Sequence, residues 1–305
     1  MLIKSADDRS EDIAELNALL AEPKLTPTNK KHIQQELRNL EKGAWGEQQA
    51  AYFLDFHFAG YKNTIILHDL RLVLSNGKTA QIDHLIINRR LDVYVLESKN
   101  WNQLTVDETG ACTIWNGRII GVESPLEQCK RHADVLARTF QLDPLLRAIA
   151  PAQSIYCRVL VAPSCHLKAP HHHEWFVKAD AFHTSWEKEM ENESVAKTLL
   201  AAARMFRVSR EKLIEMGQKL LDLHNPGRRD WRARFGLPTS SIEEKPLANK
   251  VVSSIDGLAD YVPRWGEDWF VLRRKPTEEE KKIIKDAGYR PNQEKNGDWI
   301  WRLKV

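Results

Sequence analysis

Residues 81–101 read QIDHLIINRRLDVYVLESKNW, with two short apolar segments joined by a polar turn. Segments of this length that are rich in β-branched residues and end at turn residues predict β-strands. We therefore expect neighbouring strands at 81–87 and 93–98. The same pattern predicts further strands at 64–67, 70–74, 112–115, 118–122, 155–162 and 175–182, with a hairpin turn at Asn116-Gly117.

Charged residues stand at the ends of these two apolar segments. Side chains alternate along a strand, so Glu97 and Lys99 point to one face, and Gln81 shares a face with Asp83. Burying such charges is costly unless they are paired or bind a metal ion. Two carboxylates suit Mg²⁺ or Mn²⁺, and a lysine beside them can orient water and offset charge on a phosphate. The pattern predicts a phosphodiester-hydrolysing site, although a Glu-x-Lys triplet by itself is also typical of an exposed strand face.

Four motifs in a fixed order extend this pattern to about residues 41–145. They are Gly43-Ala44-Trp45-Gly46-Glu47, Gln81-Ile82-Asp83, Glu97-Ser98-Lys99-Asn100-Trp101 and Pro125-Leu126-Glu127-Gln128. Together they resemble the motifs of the nuclease-related domain (NERD), a branch of the PD-(D/E)xK nuclease superfamily. The resemblance implies an α/β fold, with a mixed sheet flanked by helices as in restriction endonucleases.

The resemblance also implies a role for five residues. Asp83 and Glu97 would be metal ligands, and Lys99 the catalytic lysine. Glu47, on the preceding helix, would be a further acidic ligand or would position water, and Gln128 would face the same site from a helix. The implied protein is a metal-dependent nuclease that uses Mg²⁺ or Mn²⁺ and acts on DNA. Such domains can also serve mainly to bind, so a catalytically silent nucleic-acid-binding module stays open.

Other residues have both a nucleic-acid-binding and a structural interpretation. The residues expected to contact nucleic acid are Asn100, Trp101, Arg228, Arg229 and Arg232. Trp101 and Asn100 can stack on a base and donate a hydrogen bond, or they can pack at a strand end. The arginines can bind phosphates, or they can belong to a solvated linker.

The glycines and histidines have simpler structural interpretations. Gly43 and Gly46 lack the Gly-Lys-Ser/Thr ending of a phosphate-binding loop, so close packing of a helix on the sheet is the favoured explanation. Three consecutive histidines occupy residues 171–173. They lack the spacing of a zinc site, so we expect a solvated loop.

Composition limits the class of protein. The chain has 305 residues, 29% of them charged and 42% hydrophobic, a mean hydropathy of −0.48 and a net charge of +3. No apolar run approaches the roughly 20 residues needed to cross a bilayer, and the N-terminus lacks the apolar stretch of a signal peptide, so we expect a cytoplasmic protein without membrane contact. The four cysteines are scattered, which argues against a zinc ribbon or a disulfide framework.

The chain is expected to contain four parts. These are an N-terminal helical segment at 1–40, the nuclease-like domain at 41–225, a linker at 226–262 and a small Trp-rich α+β module at 263–305. Helices are predicted at 8–42 with a break near Pro23 and Pro27, at 41–56, at 125–140 and at 193–223. The C-terminal module is expected to bind or dock, so a scaffold that recruits a protein partner is a third interpretation. The sequence leaves the oligomeric state, including a homo-oligomer, open.

Overall fold

A computed structural model describes two compact units of the chain, Met1–Gly236 and Leu237–Val305. The described residues are 1–227, 229–237, 259–261, 269–272, 278, 281–282, 285, 289–293 and 299–303. Arg228 lies outside this set, so its predicted role in binding nucleic acid stays a prediction.

A six-stranded mixed sheet forms the centre of the first unit. Its strands are β1 (Leu2–Lys4), β2 (Thr64–Val73), β3 (Thr79–Asn88), β4 (Asp92–Lys99), β8 (Ser154–Val161) and β10 (Phe176–Lys178), in the order β1-β2-β3-β4-β8-β10. The long central pairs β2–β3 and β3–β4 are antiparallel, and the outer pairs β1–β2, β4–β8 and β8–β10 are parallel.

A smaller mixed sheet lies in the same unit. It consists of β5 (Gln103–Val106), β6 (Cys112–Trp115), β7 (Ile119–Val122) and β9 (His166–Lys168), in the order β7-β6-β5-β9. The β6–β7 hairpin turns at Asn116-Gly117 as predicted. Gly117 has a φ of 73° there, a conformation that glycine adopts without the steric penalty of a Cβ atom.

Helices cover both faces of the large sheet. They are α1 (Ser10–Leu20), α2 (Pro27–Phe58), α3 (Pro125–Leu142), α4 (Pro144–Ile149), α5 (Phe182–Glu191), α6 (Val195–Arg207), α7 (Arg210–Asp222) and α8 (Trp231–Arg234). Leu54 and Phe58 of α2 belong to a buried cluster with Ile86 and Leu96 of the sheet. On the other face, α3 contributes its apolar side to a cluster with Leu85, Ile87, Val93 and Val95. The sheets flanked by helices confirm the predicted α/β class and are consistent with a restriction-endonuclease-like fold.

Several predicted element boundaries were wrong. The predicted helices that meet at residues 41–42 form one helix, Pro27–Phe58, capped by the Thr26 side chain and started by Pro27 at its first position. The predicted helix 193–223 is two helices, because Ser209 caps a new helix at Arg210. The predicted strand 175–182 is shorter, at Phe176–Lys178, and a 3₁₀ turn follows it.

The first unit extends beyond the predicted nuclease-like domain at both ends. Its sheet includes β1, and Trp231 of α8 is 0% exposed. The Trp231 Nε1–H donates a hydrogen bond to Asp12 Oδ1 of α1 at 2.7 Å, and Arg232 pairs with Glu22. Residues of the predicted N-terminal segment, and those described residues of the predicted linker that precede Leu237, therefore belong to the same unit as the large sheet.

The second unit contains a four-stranded antiparallel sheet. Its strands are β11 (Ala259–Tyr261), β12 (Trp269–Leu272), β13 (Tyr289–Gln293) and β14 (Trp299–Leu303), in the order β11-β12-β14-β13. The described residues between β12 and β13, which are Glu278, Lys281, Lys282 and Lys285, are helical. The docking role expected for this module stays a prediction. In neither unit do the described residues form a helix that combines the length and the apolar character needed to span a bilayer.

Candidate active site

Asp83 and Glu97 are brought together by the register of β3 and β4. His84 pairs with Leu96 in this antiparallel ladder. Asp83, which precedes His84, therefore lies opposite Glu97, which follows Leu96, on the α3 side of the sheet. The Ser98 amide N–H donates a 2.7 Å hydrogen bond to Asp83 Oδ2. The carboxylate of Asp83 is thus held at the position that the sequence pattern predicted.

Lys99 contacts both Glu97 and helix α3. Its Nζ donates to Glu97 Oε1 at 2.5 Å and to Gln128 Oε1 at 3.2 Å. Glu97 is only 2% exposed, and His132, one helical turn after Gln128, has its Nδ1 3.5 Å from Glu97 Oε2. Helix α3 presents these two side chains because it begins at a Ser124 cap and runs along the sheet face. The structure therefore brings Gln128 to the site and adds His132, which the sequence interpretation had missed.

The carboxylates of the site repel one another. Burial raises the pKa of Asp83 well above its usual range, and the charges of Glu97 and Glu47 raise it further, against the Ser98 N–H and the Lys99 ammonium. The pKa of Glu47 is also raised, first by burial and then by the charge of Asp69. A group of carboxylates that resists ionisation in this way favours a cation.

The oxygen donors fit a hard divalent cation. Within the described part of the chain, no three His, Cys, Asp or Glu side chains are close enough to hold a metal ion together. Mg²⁺ does not require such a closed site, because it usually keeps several waters and takes one or two carboxylates plus phosphate oxygens. Asp83 and Glu97 satisfy that requirement, and Glu47 lies within their electrostatic reach.

Asp69 is an acidic neighbour that the sequence interpretation had missed. It lies between the pairs that join β2 to β3, has a φ of 53° and is buried. Its carboxylate accepts hydrogen bonds from Arg9 Nη2 at 2.7 Å and from Gln81 Nε2. The available signal was a polar His-Asp pair, residues 68–69, that interrupts an otherwise apolar strand.

A buried polar chain crosses the sheet on the opposite face. Asp55 Oδ1 lies 3.1 Å from His68 Nε2, His68 Nδ1 lies 2.8 Å from His84 Nδ1, and His84 Nε2 lies 2.8 Å from Ser98 Oγ. Burial and the neighbouring His68 hold the pKa of His84 well below its usual range. The chain thus fixes the side chain of Ser98, whose backbone N–H holds Asp83.

Close packing of α2 on the end of β4 positions Glu47. A Cβ atom added at Gly46 would lie 2.5 Å from Asn100 Cβ, whereas Gly43 has open space around it. Asn100 Nδ2 also donates a 2.9 Å hydrogen bond to the Lys42 carbonyl. The packing explanation is therefore confirmed for Gly46 and wrong for Gly43.

The predicted nucleic-acid contacts occupy two separate environments. Asn100 and Trp101 line a cavity of about 380 Å³ that also includes Glu47 and Lys99. Trp101 additionally packs on the apolar cluster beneath the smaller sheet, so part of its role is structural. Arg229 and Arg232 instead lie at α8, where Arg229 stacks on Trp231 and Arg232 pairs with Glu22.

The histidine run forms part of a surface loop. The His172 Nε2 atom lies 2.9 Å from the Asp107 carbonyl oxygen, and the side chains on either side of it are exposed. This arrangement agrees with the predicted loop.

Comparison with known proteins identifies the segment that contains these residues. The family model of the nuclease-related domain matches residues 42–162, and PD-(D/E)xK nucleases are the wider context of that family. The matched segment includes all five residues of the predicted catalytic set. No curated protein and no solved structure matches the chain. Residues 42–162 of this chain are therefore similar to the nuclease-related domain, and this similarity suggests a nuclease-related function.

Proposed function

We propose that the first unit hydrolyses phosphodiester bonds in DNA and depends on Mg²⁺ or Mn²⁺. The observation that carries this proposal is the position of Lys99. Its ammonium group donates hydrogen bonds to the buried Glu97 and to Gln128. The carboxylate of Asp83 lies opposite Glu97 in the register of β3 and β4. This combination of two carboxylates and one ammonium lies within the segment that is similar to the nuclease-related domain.

Each side chain has a distinct role in the proposal. Asp83 and Glu97 would hold the divalent ion, and Glu47 would position a water molecule beside it. When bound, the ion would neutralise negative charge and lower the pKa of a water molecule. Lys99 is 21% exposed, so its ammonium can approach a substrate phosphate and stabilise the charge that develops there. Gln128 orients that ammonium by accepting its second hydrogen bond.

A binding role without catalysis explains the site less well. Phosphate binding uses Lys and Arg, because they neutralise the charge of the backbone. The candidate site instead combines Glu47, Asp83 and Glu97 with Lys99, and the pKa values of Glu47 and Asp83 are raised by burial and then by like charge. Without a cation, these carboxylates would repel a phosphate placed between Asp83 and Glu97.

The test measures cleavage of supercoiled plasmid and of labelled single-stranded DNA with Mg²⁺, Mn²⁺ or EDTA. Glu97→Gln keeps the shape of the buried side chain and removes its charge, while Glu127→Gln makes the same change at an exposed position of α3. We expect metal-dependent products from the wild type and from Glu127→Gln, and none from Glu97→Gln. A folded Glu97→Gln protein with wild-type activity would contradict the proposal, as would intact substrate in every metal.

A further inference from the structure

The cavity beside the candidate active site lies between α2, the end of β4 and the β6–β7 hairpin. Its lining residues from α2 and β4 are Asn39, Lys42, Gly43, Glu47, Ser98 and Lys99. The remaining ones are Asn100, Trp101, Asn102, Ile114, Trp115 and Asn116. Glu47 and Lys99 belong to the cavity lining and to the candidate active site. A group bound in the cavity therefore lies directly next to the candidate active site. The volume of about 380 Å³ falls within the range of about 300–1,000 Å³ of small-ligand sites.

Trp115 presents an aromatic surface at the edge of this cavity. It is the last residue of β6 and is 51% exposed, while the preceding Ile114 packs on the apolar cluster beneath the hairpin. Ile119, its cross-strand partner on β7, is also exposed. The exposed part of the indole is therefore available for stacking, whereas the other indole of the cavity, Trp101, is partly used for packing.

The rest of the lining is rich in uncharged amides. Asn100 uses its Nδ2 on the Lys42 carbonyl, and Asn39 uses its Oδ1 to accept from Gln35, so each has its other amide atom available. Asn102 and Asn116 are exposed, and their side-chain amides bond to no other residue in the described part of the chain. Amides supply both donors and acceptors, which is what the edge of a nucleobase requires.

We propose that this cavity binds an unpaired base of single-stranded DNA, with the base stacked on Trp115 and its edge facing the asparagines. The inference rests on the proposed function and specifies its substrate class. Stacking on an aromatic side chain requires an exposed base face, which single strands offer and a continuous duplex does not. Lys42 also lines the cavity, and its ammonium group would bind a phosphate next to the stacked base. The preferred substrates are single strands, gaps and frayed ends.

The test measures binding in EDTA at one fixed salt concentration, because salt changes all such affinities. Fluorescence anisotropy gives the Kd of a labelled 12-nucleotide single strand and of a hairpin duplex of the same sequence. We expect the single strand to bind more tightly. Trp115→Ala should weaken single-strand binding about 5- to 150-fold, which corresponds to the loss of one stacked base, and Trp115→Phe should restore most of it.

Phe56→Ala is the matched control, because Phe56 is an exposed aromatic residue of α2 outside the cavity. It should leave the single-strand Kd unchanged. Equal or tighter binding of the duplex, or an unchanged Kd in Trp115→Ala, would overturn the inference. Since no turnover occurs in EDTA, this result is independent of cleavage. If single strands bind more tightly through Trp115 but no metal supports cleavage, the proposed function is wrong and the inference stands. If the protein cleaves DNA but shows no such preference for single strands, the inference is wrong and the proposed function stands.

Discussion

Replacing Gly46 with alanine would place a methyl group 2.5 Å from Asn100 Cβ, closer than two non-bonded carbon atoms can approach. Neither atom can rotate away, because each Cβ is fixed to its backbone. Gly43 lies one turn earlier in α2, and no atom lies within 4 Å of the corresponding position. Both substitutions gain about 1 kcal/mol from the higher helix propensity of alanine. Only Gly46→Ala also overpacks the contact, which costs about 1–3 kcal/mol.

The difference between the two variants therefore isolates the contact between α2 and β4. We expect Gly43→Ala to be more stable than the wild type by about 1 kcal/mol, and Gly46→Ala to be less stable than Gly43→Ala by about 1–3 kcal/mol. In a unit of this size, 1 kcal/mol corresponds to about 2–4 °C in Tm, so thermal unfolding followed by circular dichroism resolves the difference. A Gly46→Ala protein as stable as Gly43→Ala would refute the close packing that positions Glu47.

Three further predictions concern the site and the packing of the first unit. Burial raises the pKa of Asp83 above 3.8, the ordinary value of its carboxyl group. The folded state therefore keeps a proton that the unfolded state has lost, and it loses stability as pH rises from 3.8 through the pKa of the folded state. In EDTA, Asp83→Asn should therefore have a higher Tm than the wild type at pH 8 and no advantage below pH 3.8, and Mn²⁺ should stabilise only the wild type. His84→Phe should leave buried polar atoms of His68 and Ser98 unpaired, at about 1–3 kcal/mol each, and urea unfolding measures that loss. Trp231→Ala should destabilise the first unit by about 3–5 kcal/mol, and an unchanged urea midpoint would show that α8 does not stabilise this unit.

The central strand pair could be predicted because its information is local. The two-residue period of a strand decides which side chains share a face, and this period places Glu97 and Lys99 together without any knowledge of the remaining chain. The position of Gln128 could not be derived this way, because it depends on how α3 packs against β4. The family resemblance supplied it.

The parts that were missed depend on contacts between distant segments. Arg9 reaches Asp69 across 60 residues, and Trp231 reaches Asp12 across 219 residues. No periodic pattern encodes such a pairing, so the basic run around Trp231 had the appearance of a linker. The His68–His84 contact was missed for a related reason, since it depends on the register between β2 and β3.

The most direct test of the central claim is the single-turnover cleavage rate of labelled single-stranded DNA by Lys99→Met with saturating Mn²⁺. Lys130→Met is the control, because it removes an exposed lysine from α3. If Lys99 stabilises charge on the reacting phosphate, its loss should slow cleavage about 100- to 1,000-fold, while the folded structure and DNA binding persist and Lys130→Met cleaves at the wild-type rate. A folded Lys99→Met protein that cleaves as fast as the wild type would contradict the assignment of the active site.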